Sequence, residues 1–182
     1  MSHGILNLTA VKSMNVDALN RSAVGAADLD NGNVVNLLTL SATTGESEVF
    51  TASKPLSAGG LLVDLWMVAQ PEVVVTYSGN SAYKGLDPDV RNFYVKTGEI
   101  FRAIKPVVGD IVELSADALG GTKNANTFVV ATNNTYQLTW AASAVSGLSL
   151  SLVGTSYVSL ADGAIGSTQR TVMYKFQVVA TA

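Results

Sequence analysis

Residues Tyr94–Ser115 read YVKTGEIFRAIKPVVGDIVELS and contain two extended, β-branched runs, Glu99–Lys105 and Asp110–Ser115. Such residues are enriched in strands because their side chains pack well on a pleated surface. Between the runs, Pro106 cannot donate to a central ladder, and Gly109 adopts positive φ at no steric cost. The stretch therefore predicts two antiparallel strands that pair as one β-hairpin.

The rest of the chain continues this pattern of short extended runs separated by turns. Asn31-Gly32 is a tight-turn signal that leads into an apolar run, and Leu148–Val153 alternates apolar residues with serines, as a half-buried strand does. No run has the length and period of an ordinary helix. The other predicted strands are Val34–Leu40, Glu48–Thr51, Leu61–Ala69, Glu72–Thr76, Thr127–Ala131, Tyr136–Trp140, Leu148–Val153, Tyr157–Leu160 and Arg170–Val179.

About ten short strands without a long helix indicate an all-β fold, either a sandwich or a barrel-like domain. A chain of 182 residues is long enough to form one well-buried domain. The strand-and-turn pattern begins at Val24. We therefore expect a single β-domain over residues 24–182.

Residues 1–23 fit this pattern poorly. Apolar Met14, Val16 and Leu19 occur there among few charges, with too little periodicity to make a stable element alone. One interpretation is a poorly ordered terminus. The other is an N-terminal extended arm that contacts a partner through these three residues and adds a strand to an exposed sheet edge.

The composition favours a protein that buries surface against partners. Charged residues make up 14% of the chain, against about 25% in an average soluble domain. The mean hydropathy is +0.31. Serine, threonine, asparagine and glycine dominate the polar positions, and these residues tolerate a static interface better than lysine or glutamate does.

The charge pattern and the apolar runs argue against two classes of partner. The net charge is −3 and the basic residues are scattered singly, so no basic stripe is present to neutralise nucleic-acid phosphates. The most apolar run, Leu61–Ala69, is interrupted by Asp64 and is too short to span a bilayer. The N-terminus lacks the charged start and apolar core of a secretory signal. We therefore expect a protein made in the cytoplasm, with no nucleic-acid or membrane partner.

The side chains that carry most catalysis are scarce. The chain has no cysteine and one histidine, His3, in a terminus expected to be mobile, whereas a base or metal ligand must be held rigidly. A calcium loop starting at Asp28 fails, because Gly32 and Thr39 stand where an oxygen ligand and a glutamate are needed. We expect no enzyme activity, no cofactor and no metal site. Carboxylates on predicted strands without a catalytic signature are Asp64, Glu72, Glu99 and Glu113.

Arg102 is unusual among the predicted strand residues. It lies between Phe101 and Ala103 and shares a strand face with Ile100 and Ile104. An arginine in so apolar a strand needs a carboxylate partner or a place at an interface. We expect a structural role for Arg102 in an ion pair.

Two segments carry a resemblance to a known family. In Ala26–Leu37, AADLDNGNVVNL, an Asn-Gly turn enters a valine-rich strand. Arg91–Ser115 then contains a Gly-x-x-x-Arg-Ala segment followed by Gly-Asp and an apolar strand. The residues concerned are Gly98, Arg102, Ala103, Gly109 and Asp110. Over residues 11–119 the chain resembles the decoration, or head-stabilising, proteins of tailed bacteriophages.

This resemblance implies a structural role on a virion. A decoration or cement protein binds the outside of an assembled capsid, usually at three-fold positions, and reinforces the shell against internal pressure. The implied partners are the major capsid protein of a tailed phage and neighbouring copies of this chain, in a homo-oligomer such as a trimer. The implied location is the exterior of the virion capsid, and no catalytic group or cofactor is required.

Other functions fit the same β-rich sequence. One alternative is another virion β-protein, such as a tail-tube or fibre subunit. A different class is a carbohydrate-binding β-sandwich, with Trp66 or Trp140 as a stacking platform. Both tryptophans occur within apolar runs, which favours core packing for them. A hydrolase of unknown specificity is the remaining alternative.

Overall fold

The structure, a computed structural model, describes residues 3–42, 45, 48–56, 64–72, 75–77, 84–86, 89–161 and 168–181. The regular structure in these ranges consists of strands and single turns of 3-10 helix, which confirms the predicted all-β fold. The strands are β1 Leu6–Ala10, β2 Asn20–Gly25, β3 Val34–Leu40, β4 Val49–Ser53, β5 Leu65–Val68, β6 Val75–Tyr77, β7 Lys84–Leu86, β8 Ile100–Ile104, β9 Ile111–Ser115, β10 Leu119–Gly120, β11 Phe128–Val130, β12 Leu138–Ala141, β13 Ser149–Ala161 and β14 Thr168–Ala180. The 3-10 turns are Lys12–Met14, Asp17–Leu19, Val90–Asn92 and Ala116–Ala118.

The strands form two main sheets. One is a closed barrel with the strand order β2-β4-β3-β5-β8, and the other is a seven-stranded sheet with the order β1-β9-β14-β13-β11-β12-β10. A separate two-stranded sheet pairs β6 with β7. The described pairings are antiparallel except for β2 with β4 and β10 with β12.

Two apolar cores explain why several barrel strands are apolar on both faces. Val35 and Val68 pack inside the barrel, whereas Val34 and Met67 belong to a second cluster that includes residues of the seven-stranded sheet. Successive side chains of a strand point to opposite faces, so one strand supplies both cores. The cluster between the barrel and the sheet contains Ile104, Leu114, Val129, Leu150 and Phe176 among its buried members.

The predicted hairpin at the centre of the chain is wrong, although both of its strands are present. Ile100–Ile104 pairs with β2 and β5 in the barrel, whereas Ile111–Ser115 pairs with β1 and β14 in the seven-stranded sheet. The backbone between them bonds to other segments: Lys105 N donates to Leu19 O, and Gly109 N donates to Val178 O. Residues 105–110 therefore cross from one sheet to the other.

The buried side chain of Asp110 holds the backbone of this crossover in place. Its Oδ2 accepts a hydrogen bond from Val107 N at 2.9 Å. Its Oδ1 accepts from Lys12 N at 3.1 Å, 98 residues earlier in the chain. A buried carboxylate is stable only where donors compensate its lost hydration. Asp110 thus ties the crossover to the N-terminal segment.

The prediction of an arm over residues 1–23 is wrong for the described residues 3–23. Leu6–Ala10 forms an edge strand on β9, with Leu6 opposite Leu114. Asn20–Gly25 is a barrel strand, so the boundary expected at residue 23 falls inside it. The segment joins the domain because Leu6 and Val11 bury their side chains in the core between barrel and sheet.

The C-terminal strands are longer than the sequence indicated. The two runs Leu148–Val153 and Tyr157–Leu160 belong to one strand, Ser149–Ala161, which pairs with Thr168–Ala180. A register shift between Leu152 and Gly154 separates them. A bulge of this kind lets a strand continue while one residue leaves the ladder. Residues 162–167, which connect these strands, lie outside the described residues.

The Asn31-Gly32 turn is present and stands where the barrel meets the sheet. Gly32 has φ +89°, and a Cβ added there would lie 2.4 Å from Leu114 Cδ2. Its amide donates to Val68 O at 2.9 Å. Only glycine combines this backbone conformation with so close an approach to β9.

Gly32→Ala is expected to lower the free energy of unfolding by about 3 kcal/mol, because backbone strain adds to overpacking against Leu114. Gly98→Ala is the matched control, since Gly98 has φ +81° with no heavy atom within 4 Å of the added Cβ. Its expected cost is about 1 kcal/mol from strain alone. Urea unfolding followed by circular dichroism measures both values, and equal costs would contradict the packing argument.

Deletion of residues 1–20 is expected to destabilise the fold strongly. It removes β1 and the buried side chains of Ile5, Leu6 and Val11. Each is worth about 1.5–3 kcal/mol, a large part of a typical stability of about 5–15 kcal/mol. Met14→Ala, at an exposed position, is the control and should change stability by less than about 0.5 kcal/mol. A truncated protein with an unchanged melting midpoint would contradict the placement of β1.

Candidate functional site

An open groove of about 820 Å³ lies where the N-terminal 3-10 turns cross one end of the barrel. Its walls come from the segment before β2, from the start of β2, from the ends of β3 and β4, and from β8. The lining residues are Ser13, Met14, Asp17, Asn20, Arg21, Ser22, Leu40, Glu48, Phe50 and Arg102.

Asn20 organises the polar side of the groove. Its Oδ1 accepts hydrogen bonds from Arg102 Nε at 2.9 Å and from Arg102 Nη2 at 2.7 Å. Its Nδ2 donates to Ser13 O at 2.6 Å and to Val16 O at 3.1 Å. One amide side chain therefore holds the 3-10 turns over the barrel and orients the guanidinium group.

The partner of Arg102 differs from the predicted one. No carboxylate oxygen of the described residues lies within 4.0 Å of its guanidinium nitrogens, so the predicted ion pair is wrong. The backbone is well anchored: Arg102 N donates to Gln70 Oε1, and Arg102 O accepts from Ala69 N, both at 2.9 Å. Arginine has five N–H donors, and Asn20 engages two of its nitrogens. The other sequence-based condition, a place at an interface, stays a prediction.

Ser13, which lines the groove, carries an unusual polar atom. The residue is 2% exposed, and its Oγ has no hydrogen-bond partner among the described residues. A buried hydroxyl without a partner costs about 1–3 kcal/mol. Such an exception in a native fold calls for an explanation, and a bound ligand atom is one.

The formal charges around the groove balance. Arg21 and Arg102 supply two cations, and Asp17 and Glu48 supply two anions. Arg21 donates from Nη1 to Asn20 O at 2.9 Å, and its guanidinium carbon lies 5.8 Å from the ring centroid of Trp66. The groove therefore combines local charges of both signs without a net field.

The three residues predicted to contact a partner lie near this groove in different roles. Met14 is 61% exposed and lines the groove, and its Sδ lies 4.0 Å from Arg102 Nη2. Val16 is exposed beside the groove, and Leu19 is half-buried with its carbonyl bonded to Lys105 N. The structure thus brings Met14 and Arg102 together. Sequence reasoning missed Asn20 and Ser13, because asparagine is an ordinary residue at the start of a strand and serine is an ordinary residue in a turn.

His3 is held in place, contrary to the expected mobile terminus. Its Nδ1 lies 2.7 Å from Asp30 Oδ1, and its ring stacks on Tyr94 with centroids 4.5 Å apart. Its backbone amide donates to Arg91 O at 2.8 Å. These contacts fasten the chain start to the loop before β3 and to the segment before β8.

The strand-borne carboxylates lie in separate places. Asp64 pairs with Lys105 at 2.7 Å, Glu113 pairs with Lys175 at 3.3 Å, and Glu99 accepts from Lys96 N at 3.1 Å. Glu72 lines a smaller cavity of about 190 Å³ that also reaches Arg102. The four carboxylates do not converge in one pocket.

Both tryptophans are buried, as their apolar runs predicted. Trp66 packs in the barrel interior, and Trp140 packs in the core between barrel and sheet, edge-on to Tyr174 with ring centroids 5.3 Å apart. Each is 9% exposed, so neither offers an open ring face for a sugar.

Within the described ranges, no three His, Cys, Asp or Glu side chains lie together as a metal ion would need. No helix among the described residues has the length and apolar character to cross a bilayer. Comparison with protein-family models, with curated proteins and with solved structures finds no match for this chain.

The carboxyl of Glu72, which lines the smaller cavity, has a perturbed pKa. Burial raises this pKa above its usual range, and hydrogen bonds from Asn31 Nδ2, at 3.2 Å, and from Leu6 N oppose the change. The folded protein therefore holds the Glu72 proton more tightly than the unfolded chain does. Stability contributed by this group is present at low pH and is lost as the pH rises through the folded pKa.

Glu72→Gln should remove this pH-dependent loss. The melting midpoint of the variant minus that of the wild type should be larger at about pH 7.5 than at about pH 4. Only the wild type has a buried carboxyl that must ionise as the pH rises. Differential scanning calorimetry at the two pH values measures the difference. A difference that is equal at both, or larger at low pH, would contradict the assignment.

Proposed function

We propose that this chain is a structural virion protein that binds the outside of a tailed-phage capsid and stabilises the shell. The family resemblance over residues 11–119 supports this role. The partners under this proposal are the major capsid protein and further copies of the chain, arranged as a homo-oligomer such as a trimer. The protein acts on the exterior of the virion after synthesis in the host cytoplasm.

The observation that carries the proposal is the exposed apolar rim of the groove. Met14, Val16 and Leu40 are 61%, 44% and 54% exposed; Met14 and Leu40 line the groove, and Val16 follows two residues after Met14. Large apolar side chains gathered at an open groove are typical of a protein–protein contact. Such a surface suits permanent docking on a shell.

The architecture also supports a load-bearing role. The same strands supply the barrel interior and the core against the seven-stranded sheet, so separating the two layers would expose the core that they share. Close packing of this kind resists deformation. A protein that reinforces a shell needs this resistance to deformation.

The alternatives have less support. The buried tryptophans lack the open ring face that a carbohydrate-binding platform requires. The scattered carboxylates Glu99, Glu113 and Asp64 lack the convergence that a hydrolase requires. A tail-tube or fibre subunit would share the β-rich fold. It differs from a decoration protein because it assembles into the tail and not onto the capsid.

Co-sedimentation with shells tests the role directly. Shells assembled from the capsid protein that is encoded with this chain should bind the purified protein and resist heating better with it than without it. Met14→Asp and Leu40→Asp should each weaken binding about tenfold, because a charge would be buried at the contact. Val179→Asp, at an exposed position in β14, is the control and should bind normally.

Failure of the wild-type protein to sediment with shells would contradict the proposal. Binding to purified tails instead would favour the tail-tube or fibre alternative. Light scattering of the free protein and of the shell-released protein measures the oligomer, and a monomer in both states would contradict the trimer.

A further inference from the structure

We infer that the groove binds a carboxylate carried by an apolar segment of a partner polypeptide, with the Arg102 guanidinium and the Ser13 hydroxyl as its ligands. This inference goes beyond the proposed function, because it names the site and the chemistry of the partner. It is tested with peptides in the absence of shells. Its failure is therefore distinguishable from a failure of the capsid role.

Arg102 is prepared for an anion that the described residues do not supply. Asn20 fixes the guanidinium from one side through Oδ1, a neutral acceptor that balances none of the positive charge. The backbone of Arg102 is bonded on both sides, to Gln70 and to Ala69. A fixed guanidinium with free N–H donors matches the planar, two-oxygen geometry of a carboxylate. Because the side chain is already held in place in the free protein, less conformational entropy is lost when a ligand binds, which favours affinity.

Ser13 supplies the second, independent observation. Ser13 lines the groove, and its Oγ is buried without a hydrogen-bond partner among the described residues. A carboxylate held by Arg102 can accept a hydrogen bond from this hydroxyl. Asn20 Nδ2 already bonds to Ser13 O at 2.6 Å, so the same amide positions both ligands.

The surroundings select a polypeptide over a polyanion. Asp17 and Glu48 line the same groove and would repel successive phosphates, whereas a ligand with one carboxylate needs a single cation, which Arg102 supplies. The apolar side chains of Met14, Leu40 and Phe50 offer contact area to apolar residues that flank the acidic one. The occupant that fits is a glutamate or aspartate within an apolar segment.

Two mixtures of capped pentapeptides provide the test. One mixture has glutamate at the centre and the other has glutamine, and both have the same randomised apolar neighbours. The full-length protein is immobilised, and retained peptide is quantified by mass spectrometry. The wild type should retain the glutamate mixture about tenfold better than the glutamine mixture, since hydrogen bonds to charged groups are worth more than neutral ones.

Arg102→Gln should abolish this preference, and Ser13→Ala should reduce retention of the glutamate mixture about threefold or more. The Ser13 variant should also melt at the same temperature as the wild type or higher, because it removes an unpartnered buried hydroxyl. A merely structural role for Ser13 would lower the melting temperature instead. Arg170→Gln, which alters an arginine stacked 4.4 Å from the Tyr157 ring on the long hairpin, should retain the wild-type preference.

Equal retention of the two mixtures by the wild type, or retention of neither, would overturn the inference. A preference that survives Arg102→Gln would do the same. If the Arg102 variant fails to fold, the Ser13 variant decides: wild-type retention by Ser13→Ala would contradict the assigned ligand pair.

Discussion

The buried carboxylate of Asp110 is the constraint on which much of the structure depends. It accepts hydrogen bonds from Val107 N in the crossover and from Lys12 N in the first 3-10 turn. The first bond shapes the turn that carries the chain from the barrel to the seven-stranded sheet. The second bond positions the N-terminal segment beside the barrel. Loss of the carboxylate would leave two amide donors without their partner at the junction of the two layers.

The candidate site follows from that junction. Lys12 is held by Asp110, and the next residue, Ser13, is held by Asn20. Asn20 then orients Arg102, which lies on the strand that ends where the crossover begins. One side of the groove is therefore bounded by a connected series of hydrogen bonds. Its preorganisation is a consequence of how the barrel and the sheet are joined.

Local sequence signals located many of the strands after residue 24 but not their partners, and they missed Leu6–Ala10 and Asn20–Gly25. The strand Val34–Leu40 has the bounds of its apolar run, although only Val34 and Val35 at its start are fully buried. Ile100–Ile104 and Ile111–Ser115 were equally visible, yet their pairing depends on strands far away in the chain. The bond between Arg102 and Asn20 spans 82 residues, so no spacing rule could reveal the groove.

Electron cryomicroscopy of shells with the bound protein tests the central claim most directly, which is that the groove at the barrel end receives an acidic segment of the shell. The account predicts an ordered capsid-protein segment in the groove, with a carboxylate in contact with Arg102 and Ser13 and apolar neighbours against Met14. A protein bound through the opposite side of the seven-stranded sheet, with the groove open to solvent, would contradict the account.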